Sequence, residues 1–588
     1  MTSLSDKLSH VVGQVFVDSE LPAELGQVRV SDRPDLAQFQ CNGAMAAAKL
    51  AKKNPRDIAN DVVGKLQTQD VFSKVDIAGP GFINIDVTDG FLSAHLEMIR
   101  ADERLGAGNS GQDQTIVLDY GGPNIAKPMH VGHLRAAIIG DSVRRIMKFA
   151  GFHTLGDVHM GDWGTHMGMI ISEFIKTGDT DRILGLDLDD EAQIDALMKE
   201  LGEMYPRVAG ECKESETRKE EAREATVRIQ NKETPYFELL QVIKAASVNG
   251  MRRNYATLGV HFDLWKGESD VHDYIAPMVE DIKANNHAVE DDGALIIPVK
   301  TEDDKKEVPP LILYKRDGGV MYGTTDMATL VEREKLYNPA RVIYVVDQRQ
   351  HLHFEQVFRA AKLTGIIPVG TELTHAGFGT MNGTDGKPFK TRAGGVMKLE
   401  DLIAMAEETA MKRLNEAALA EDMDADEKAD VAHKVGIAAI KFADLSNPRV
   451  TDYVFDLERL TSFEGKTGPY LLYQAVRIKS LLKKAEAQGL GIPQADAFAI
   501  GDADRALALL LTEFPDAFNF ALRDYMPHHL CEYAYRVASA FSSFYGNCHI
   551  LSEEDEAIRN SRLALCAFTY EMLTQILELL GIEVPERM

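Results

Sequence analysis

Cysteine is scarce in this sequence, with five residues in 588. Cys41, Cys212, Cys531, Cys548 and Cys566 are scattered along the chain, and no two of them have the C-x-x-C spacing. This pattern argues against a disulfide framework and against a zinc ribbon. Long apolar runs are missing as well, since none approaches the roughly 18 residues that a membrane helix needs. We therefore expect a reduced, soluble, cytoplasmic protein without a zinc site.

Positive charge is also in deficit. The 64 Lys and Arg residues are outnumbered by 91 Asp and Glu residues, which gives a formal net charge of −27. Such an acidic chain is unlike a non-specific nucleic-acid coat or a binder of anionic membranes. A nucleic-acid enzyme with a local basic surface is still compatible with it, because a phosphate backbone responds to nearby charges. The length, with 45% apolar residues, indicates a globular protein of several domains.

The residue pattern divides the chain into segments. Residues 1–112 look like a small α+β domain, and strands alternate with helices over 113–395. A charged helical insertion occupies about 180–290, and 396–466 and 467–588 are two helical regions. The runs typical of buried strands are Thr115–Tyr120, Ala294–Val299, Leu311–Tyr314 and Val342–Val346. The alternation predicts an α/β fold with an open, Rossmann-like parallel sheet that binds ligands at the carboxyl ends of its strands.

The clearest chemical motif follows the first of these strands, where Gly121–Arg135 reads GGPNIAKPMHVGHLR. His130 and His133 are three apart and therefore lie on one side of the helix entrance. A helix N-terminus favours phosphate, and two imidazoles add hydrogen bonds to the charge that develops on an attacked α-phosphate. Gly132 has no Cβ, so an adenine ring can approach its backbone. A bare H-x-G-H pair is also consistent with two residues that only cap a helix, but its place after a strand favours a nucleotide site.

The stretch Pro123–His133, PNIAKPMHVGH, closely resembles the HIGH region of the arginyl-tRNA synthetases, a family of class I aminoacyl-tRNA synthetases. Other landmarks of that family are resembled, in its order, by Ala78–Asn84, Val158–Gly164, Tyr344–His353, Gly383–Gly395, Ser462–Gly468 and the terminal LLGIEVPERM. The resemblance implies an arginine–tRNA ligase. Such an enzyme activates L-arginine with ATP to arginyl-adenylate and transfers it to the 3′ end of tRNA(Arg), with release of AMP and diphosphate. The catalytic residues that it implies are His130, His133 and Lys127.

The resemblance also implies a pocket for arginine, formed by Asp119, Asn124, Tyr322, Asp326 and Gln350. A guanidinium group is planar and permanently charged, and it needs carboxylate or amide acceptors. Tyr322 and Asp326 are four apart at a predicted helix start, which places them on one face. Without the resemblance, Asp326 could equally be an acid that stabilises a helix N-terminus. Tyr322 could equally be a core residue.

The second class I signature departs from its usual KMSKS form, because Thr391 replaces its second lysine. In family members with such a degenerate loop the lysine before the HIGH sequence takes over, and here that residue is Lys127. The predicted ATP contacts are Gly132, Gly161, Asp162, Lys390, Thr391 and Arg392. We expect Mg²⁺ to accompany ATP, and the sequence contains no dedicated cluster of metal ligands.

Transfer to tRNA needs surfaces outside the active site. The resemblance implies that residues 1–112 contact the tRNA corner, that 396–466 contact the stem and that 467–588 bind the anticodon. Basic side chains can meet phosphates there, and aromatic faces can stack on unpaired bases. The predicted contacts are Lys49, Lys52, Tyr470, Tyr473, Arg477 and Lys479. The same residues are consistent with ordinary solvated helix faces. We expect a monomer that has tRNA(Arg), L-arginine and ATP as its partners and no contact with membranes.

Two other functions share part of this pattern. A small-molecule nucleotidyltransferase would explain His130 and His133, but it would leave the N-terminal and C-terminal segments without a purpose. A catalytically silent RNA-binding relative would explain those segments, yet it predicts eroded catalytic positions, whereas Lys127, Asp119 and Asp326 are all in place. Adenylate formation that ignores RNA would favour the first alternative, and absence of any adenylate formation would favour the second.

Overall fold

The computed structural model describes residues 3–316, 318–383, 385–387, 397–419, 422–491 and 498–588. The strands, in chain order, are β1 (Val28–Val30), β2 (Phe39–Cys41), β3 (Phe72–Ala78), β4 (Phe82–Val87), β5 (Thr115–Tyr120), β6 (His153–Asp157), β7 (Val289–Asp291), β8 (Ala294–Ile297), β9 (Leu311–Tyr314), β10 (Arg341–Val345), β11 (Glu372–His375), β12 (Met381–Asn382) and β13 (Tyr453–Val454). The α-helices are α1 (Leu4–Val17), α2 (Gly43–Ala51), α3 (Pro55–Leu66), α4 (Asp89–Arg100), α5 (Leu134–Phe149), α6 (Thr165–Thr177), α7 (Thr180–Leu184), α8 (Glu191–Glu214), α9 (Glu216–Gln230), α10 (Tyr236–Thr257), α11 (His272–Ala284), α12 (Tyr322–Tyr337), α13 (His351–Thr364), α14 (Leu399–Glu416), α15 (Ala425–Leu445), α16 (Leu457–Leu460), α17 (Gly468–Ala487), α18 (Asp502–Leu511), α19 (Phe514–Asp524), α20 (His528–Asn547) and α21 (Glu556–Leu579). Short 3₁₀ turns cover Ala23–Gly26, Val131–His133, Glu268–Val271 and Gln348–Gln350.

The central sheet is parallel and has the strand order β11-β10-β5-β6. Near its carboxyl end, Asp119 of β5 lies between Tyr344 of β10 and Asp157 of β6. The α/β fold class and the parallel sheet are thereby confirmed. The carboxyl ends of these strands form the edge at which an open sheet of this kind binds its ligands.

Two of the predicted strands belong to a different sheet. The strand–helix alternation places β8 and β9 in the parallel sheet, but they form a separate antiparallel sheet of order β7-β8-β9. The reason is local, since Asp292 and Gly293 make a two-residue turn between β7 and β8 with φ angles of 45° and 79°. Such a turn folds the chain directly back and pairs the strands antiparallel. The prediction that β8 and β9 belong to the parallel sheet is therefore wrong.

Helix α5 packs closely on the central sheet. Its apolar face is buried, with Leu134 and Ile138 among the residues that face the core. A Cβ added to Gly140 would lie 2.3 Å from the ring of Tyr120 in β5, so glycine is required for this close approach. The turn between β5 and α5 therefore has both of its ends fixed in the core, and this turn carries the histidine motif.

The insertion between β6 and β7 is helical, as the sequence indicates. Its buried Arg218, in α9, donates hydrogen bonds to Glu173 and Ser172 of α6. Helices α11, α12 and α13 contribute to the core around the sheet through residues such as Val279, Leu330 and Val357. A buried ion pair thus joins helices within the insertion, and apolar side chains pack the later helices on the sheet.

Met1–Ser110, Phe463–Glu578 and Glu583–Met588 form one compact unit, and Gly111–Ser462 with Leu579–Ile582 form another. The first unit contains an antiparallel sheet of order β1-β2-β4-β3, together with α1–α4 and the helices α17–α21. Within it, Arg100 of α4 donates two hydrogen bonds to Glu571 of α21, at 3.2 and 3.0 Å. Within the described ranges, no helix combines the length and the apolar character needed to span a membrane.

Candidate active site

The two histidines of the motif lie in the turn that leads from β5 into α5. The Nδ1 atom of His130 accepts a hydrogen bond from the amide of Gly132 at 3.0 Å, and that of His133 accepts one from the amide of His130 at 3.1 Å. The two rings stack with their centroids 3.9 Å apart. Because each Nδ1 accepts a backbone hydrogen bond, the proton of each neutral ring lies on Nε2. Both imidazoles therefore offer an Nε2–H donor.

The surroundings hold both histidines in the neutral form. Burial and the charge of Lys127 lower the pKa of His130. Burial and the neighbouring His130 lower the pKa of His133 to about 3. A Cβ on Gly132 would lie 2.7 Å from the His130 ring, so the glycine makes room for the imidazole itself. The pair is thus a fixed set of neutral donors, suited to stabilising charge on a phosphate.

Lys127, the predicted third catalytic residue, is held by the helical insertion. Its Nζ lies over the ring of Tyr205 in α8, 4.0 Å from the ring centroid. The amide of Ala126 donates to Oγ of Ser247 in α10 at 3.0 Å. Nothing in the local sequence indicates these partners, because they come from distant helices. Tyr205 is therefore a candidate for the residue that places the lysine ammonium beside the histidines.

The second class I signature, residues 388–392, lies outside the described residues. Three of the predicted ATP contacts lie outside the described residues: Lys390, Thr391 and Arg392. The chain after them is tied to the histidine turn, since the amide of Val131 donates to the carbonyl of Met397 at 3.1 Å. The amide of Leu399 donates in turn to the carbonyl of Met129 at 3.1 Å. These two hydrogen bonds fix the start of α14 beside the turn that carries His130.

Asn124 and Gly161 come together at the carboxyl ends of β5 and β6. The two residues form a parallel bridge, in which the amide of Gly161 donates to the carbonyl of Pro123 at 3.2 Å. A Cβ on Gly161 would lie 2.1 Å from Oδ1 of Asn124. The exposed Asn124 amide is thus placed by the absence of a side chain at Gly161. Gly161, the glycine of the VHMGDWG stretch, therefore leaves the space that the Asn124 side chain occupies.

Asp162, a predicted ATP contact, is fully buried. Its carboxylate accepts hydrogen bonds from the amide and the hydroxyl of Ser269, at 2.8 and 2.5 Å. It also forms an ion pair with Lys244, at 2.5 Å. The carboxylate therefore holds the turn Glu268–Val271 against the sheet. Ser269 and Lys244 thus engage the carboxylate in this structure, and an ATP contact by Asp162 stays a prediction.

The acidic part of the site lies at the start of α12. Tyr322 is the first residue of this helix and is exposed, and Asp326 follows one turn later on the same face. The Nε2 atom of His353, in α13, lies 2.5 Å from Oδ2 of Asp326. Gln350 is exposed in the 3₁₀ turn just before α13. The structure therefore brings Tyr322 and Asp326 together and adds His353, which sequence reasoning missed.

A second carboxyl group that sequence reasoning missed is Glu268, which is partly buried in the turn fixed by Asp162. Burial and the negative charges of Asp326 and Asp162 raise its pKa to about 8. A carboxyl group that stays protonated beside another acid is typical of a site built for a cation, because a cation would let both ionise. The sequence does not predict a role for Glu268, because this residue comes close to Asp326 only when the chain folds.

Comparison with known proteins identifies the family. A family model described as "tRNA synthetases class I (R), catalytic domain" matches residues 95–457. An "Arginyl tRNA synthetase N terminal domain" model matches residues 2–87, and a "DALR anticodon binding domain" model matches 471–588. The chain belongs to the arginyl-tRNA synthetase family. This membership confirms the resemblance found in the sequence motifs, and with it the ATP-dependent class I chemistry of the family.

The chain is similar over its whole length to known arginine–tRNA ligases and to solved arginyl-tRNA synthetases. An arginine–tRNA ligase of Hyphomonas neptunium is 48% identical over 597 residues, and one of Alkaliphilus oremlandii is 45% identical over 590 residues, each covering 100% of both chains. The arginyl-tRNA synthetase of Plasmodium falciparum has a TM-score of 0.81 at 26% identity, and that of Thermus thermophilus has 0.79 at 21%. Each of these solved structures also covers 100% of both chains. The second of them supports the fold alone.

Beneath the site of this synthetase lies a buried cluster of charges. Nη2 of Arg333, in α12, lies 2.6 Å from Oδ2 of Asp119 and 2.7 Å from Oδ2 of Asp157. Against the effect of burial, the nearby imidazole of His159, 3.7 Å away, and the charge of Arg333 lower the pKa of Asp157 to about 2. Asp119, a predicted contact of the substrate arginine, thus binds a guanidinium group that belongs to the chain itself.

The same cluster has a ligand set that resembles a metal site. Three potential ligand atoms lie within 4.8 Å of one another, one from each of Asp119, Asp157 and His159. Arg333 already contacts both of these carboxylates. Against the effect of burial, Asp157 raises the pKa of His159 to about 9, which favours the protonated ring over one that can bind a metal. The cluster is therefore balanced by its own cations and fits a structural ion network better than a metal centre.

The predicted tRNA contacts of the synthetase fall into two groups. Lys49 and Lys52, at the end of α2, are exposed. Those on α17 are partly engaged within the chain, since Arg477 lies over the ring of Tyr545 and Lys479 forms an ion pair with Glu586 at 2.7 Å. The other two predicted contacts on α17 are the half-buried Tyr470 and Tyr473. An anticodon contact by Lys479 would have to replace its present ion pair.

Proposed function

We propose that this synthetase is an arginine–tRNA ligase that activates L-arginine with ATP to arginyl-adenylate and transfers it to the 3′ end of tRNA(Arg). AMP and diphosphate are the other products. The observation that carries this proposal is the pairing of two sites at one sheet edge. A fixed pair of neutral imidazole donors, His130 and His133, follows β5, and an acidic pocket around Asp326 and Glu268 lies at α12.

Activation needs no protein nucleophile, because the arginine carboxylate attacks the α-phosphate of ATP in line. The Nε2–H groups of His130 and His133 donate to the α-phosphate oxygens as negative charge grows on them. Lys127 supplies a positive charge toward the same phosphates from its place beside Tyr205. Mg²⁺ enters with ATP as part of the substrate, bound to phosphate oxygens. The rate gain comes mostly from positioning and charge stabilisation.

Recognition of arginine rests on the acidic pocket. The carboxylate of Asp326 receives the guanidinium group, and the ring of Tyr322 covers one of its faces. Glu268 ionises when the guanidinium arrives and supplies the second negative charge. Asn124 and Gln350 bind the polar end of the amino acid nearer the phosphates. Asp119 acts indirectly, because its ion pair with Arg333 fixes α12 to the sheet below the pocket.

The tRNA surfaces extend this proposal beyond the catalytic site. We assign residues 1–112 to the corner of the tRNA, with Lys49 and Lys52 at phosphates, and 467–588 to the anticodon. Residues 396–466 contact the stem between them. The five cysteines are all buried and free, which is typical of a protein in a reducing compartment, and we assign this protein to the cytoplasm. We also expect it to be a monomer. We propose no zinc site.

The decisive experiment is ATP–pyrophosphate exchange with a panel of amino acids, run with and without total tRNA. We expect exchange with arginine alone, and we expect it to require tRNA. Aminoacylation of tRNA by labelled arginine then tests the second step.

Each other outcome has a defined meaning. Arginine-dependent exchange without tRNA would keep the activity and remove the coupling to tRNA. Exchange with a different amino acid would overturn the pocket assigned to arginine. Absence of exchange under both conditions would favour a silent RNA-binding protein, and adenylate formation without any charging of tRNA would favour a nucleotidyltransferase.

A further inference from the structure

The pairing of Asp326 with His353 raises a question of charge in the arginine pocket. Their side chains are 2.5 Å apart, between Nε2 and Oδ2, and both are largely buried, with 30% and 22% of each side chain exposed. A hydrogen bond between charged partners is stronger than one between neutral partners, so this contact favours the protonated ring beside the carboxylate. The carboxylate that is assigned to the substrate guanidinium is therefore already hydrogen-bonded to a titratable histidine in the free protein.

Two cations cannot share this carboxylate without cost. The guanidinium of arginine stays protonated at every relevant pH. Its arrival beside Asp326 places a second positive charge close to a protonated His353, and like charges disfavour the charged form of a titratable group. Imidazole can respond by losing the proton on Nδ1 while Nε2–H keeps its hydrogen bond to Oδ2. The carboxylate would then keep its orientation and face one full positive charge.

We propose that His353 is a positioning residue of the arginine pocket, which holds Asp326 as a charged imidazole in the free protein and releases its Nδ1 proton to solvent when arginine binds. This inference rests on the proposed role of Asp326 in arginine recognition. Its consequence is that arginine binds more weakly as the pH falls, because protons compete with the substrate for the pocket. His353 thus sets the affinity for arginine without contacting the reacting atoms.

Other titratable groups surround the pair and must be separated from it. Glu268, in the turn Glu268–Val271, and Tyr344, on β10, interact electrostatically with Asp326. Tyr322 lies one turn before Asp326 on α12 and interacts with Glu268. His375, on β11, stacks on Phe354 next to His353. Against the effect of burial, a hydrogen bond to Asp326 and the charge of that carboxylate raise the pKa of His353, whereas burial lowers the pKa of His375. Of these described groups, Glu268 also releases a proton when a cation arrives, so the test must separate His353 from Glu268.

The test is calorimetric titration of the full-length protein with L-arginine, at about pH 6.5, in two buffers with different heats of ionisation. The difference in heat gives the number of protons released. The informative variant is His353→Gln, because its amide keeps a donor toward Oδ2 but cannot titrate. We expect this variant to release fewer protons than the wild type. Its arginine Kd should also depend less on pH, whereas the wild-type Kd should rise by up to about tenfold for each pH unit lost.

Controls make the outcome unambiguous. His351→Gln, an exposed histidine on the same helix, should release as many protons as the wild type. His353→Leu removes the hydrogen bond and should weaken arginine binding at every pH, and His353→Asn replaces His353→Gln if that variant does not fold. An unchanged proton count and pH slope in His353→Gln would overturn the inference. Asp326→Asn separates this failure from that of the site, since an unchanged arginine Kd there would remove Asp326 from the pocket.

Discussion

At the residue scale, the stacked histidines show how a short motif fixes two hydrogen-bond donors. His130 and His133 each use Nδ1 as an acceptor for a backbone amide, at 3.0 and 3.1 Å, so the local backbone selects the tautomer. Burial lowers the pKa of His133 to about 3, which favours the neutral ring. A donor fixed in this way needs no reorganisation when charge develops on the phosphate.

This geometry allows a substitution that removes one function of His133 and keeps the other. In His133→Asn the side-chain oxygen can still accept the amide of His130, but the Nε2–H donor is lost. We expect kcat for arginine-dependent pyrophosphate exchange to fall by about 10² or more, as for other oxyanion donors, while KM for ATP stays within about threefold. His133→Gln extends a donor toward the former Nε2 position and should retain part of the rate. A raised KM for ATP with an unchanged kcat would contradict the role.

Tyr205 offers a second test at this scale, through the cation–π contact with Lys127. Tyr205→Phe keeps the aromatic face, whereas Tyr205→Leu removes it at similar size. A contact of this kind is worth about 0.5–2 kcal/mol. We expect Tyr205→Leu to lower the rate of adenylate formation by about two- to thirtyfold and Tyr205→Phe to stay near the wild type. Equal rates in the two variants, measured by exchange at saturating ATP, would show that Lys127 does not depend on the ring.

At the scale of elements, the site is assembled where strands end and helices begin. The loops after β5 and β6 meet in the bridge between Asn124 and Gly161. The start of α12 carries Tyr322 and Asp326, and α12 is joined to the sheet by the ion pairs of Arg333 with Asp119 and Asp157. Loop contacts and buried charges therefore position side chains that lie far apart in the sequence.

Gly161→Ala tests this arrangement of elements. The added Cβ would lie 2.1 Å from Oδ1 of Asn124, so this side chain must turn away while the backbone stays in place. Loss of one hydrogen bond to the substrate costs about 1 kcal/mol or slightly more, and we expect KM for arginine to rise by about five- to tenfold. Gly210→Ala, in α8 with nothing within 4 Å of the added Cβ, is the matched control and should leave KM unchanged. A normal KM in Gly161→Ala would mean that Asn124 does not bind arginine.

At the scale of the whole molecule, the unit that contains both ends of the chain carries a histidine that affects acid stability. His95, in α4, is only 2% exposed, and burial together with the charge of Lys7 lowers its pKa to about 4. An unfolded chain has the ordinary pKa of about 6.5 at this position and therefore binds more protons between these two values. The contribution of His95 to stability is thus complete above about pH 6.5 and is lost progressively as the pH falls toward 4.

His95→Leu should remove this acid sensitivity. The expected loss in the wild type reaches about 3 kcal/mol at most, so the variant should gain thermal stability relative to the wild type at about pH 5 more than at about pH 7.5. Asp516, in the same unit, has a pKa raised to about 6 by burial and changes stability in the opposite direction, so the comparison must be between variants at each pH. Calorimetric scans that resolve the transitions of the two units provide the measurement. An equal gain at both pH values would contradict the prediction.

The sequence alone determined the family, the fold class and the place of the histidine pair. These features depend on local patterns, because a strand, a turn and a helix entrance are encoded by residues close together in the chain. The one error in the sheet, the placement of β8 and β9, came from treating strand–helix alternation as continuous across a two-residue turn.

Only the tertiary structure decided how the site is completed. His353 and Glu268 meet Asp326, Tyr205 meets Lys127, and Arg333 takes the carboxylate of Asp119. None of these pairs has a sequence spacing that predicts it, because each joins residues from different elements. Whether a carboxylate faces a substrate or an internal arginine depends on which cation the packed chain brings within a few ångströms, and that is a property of the fold and not of any motif.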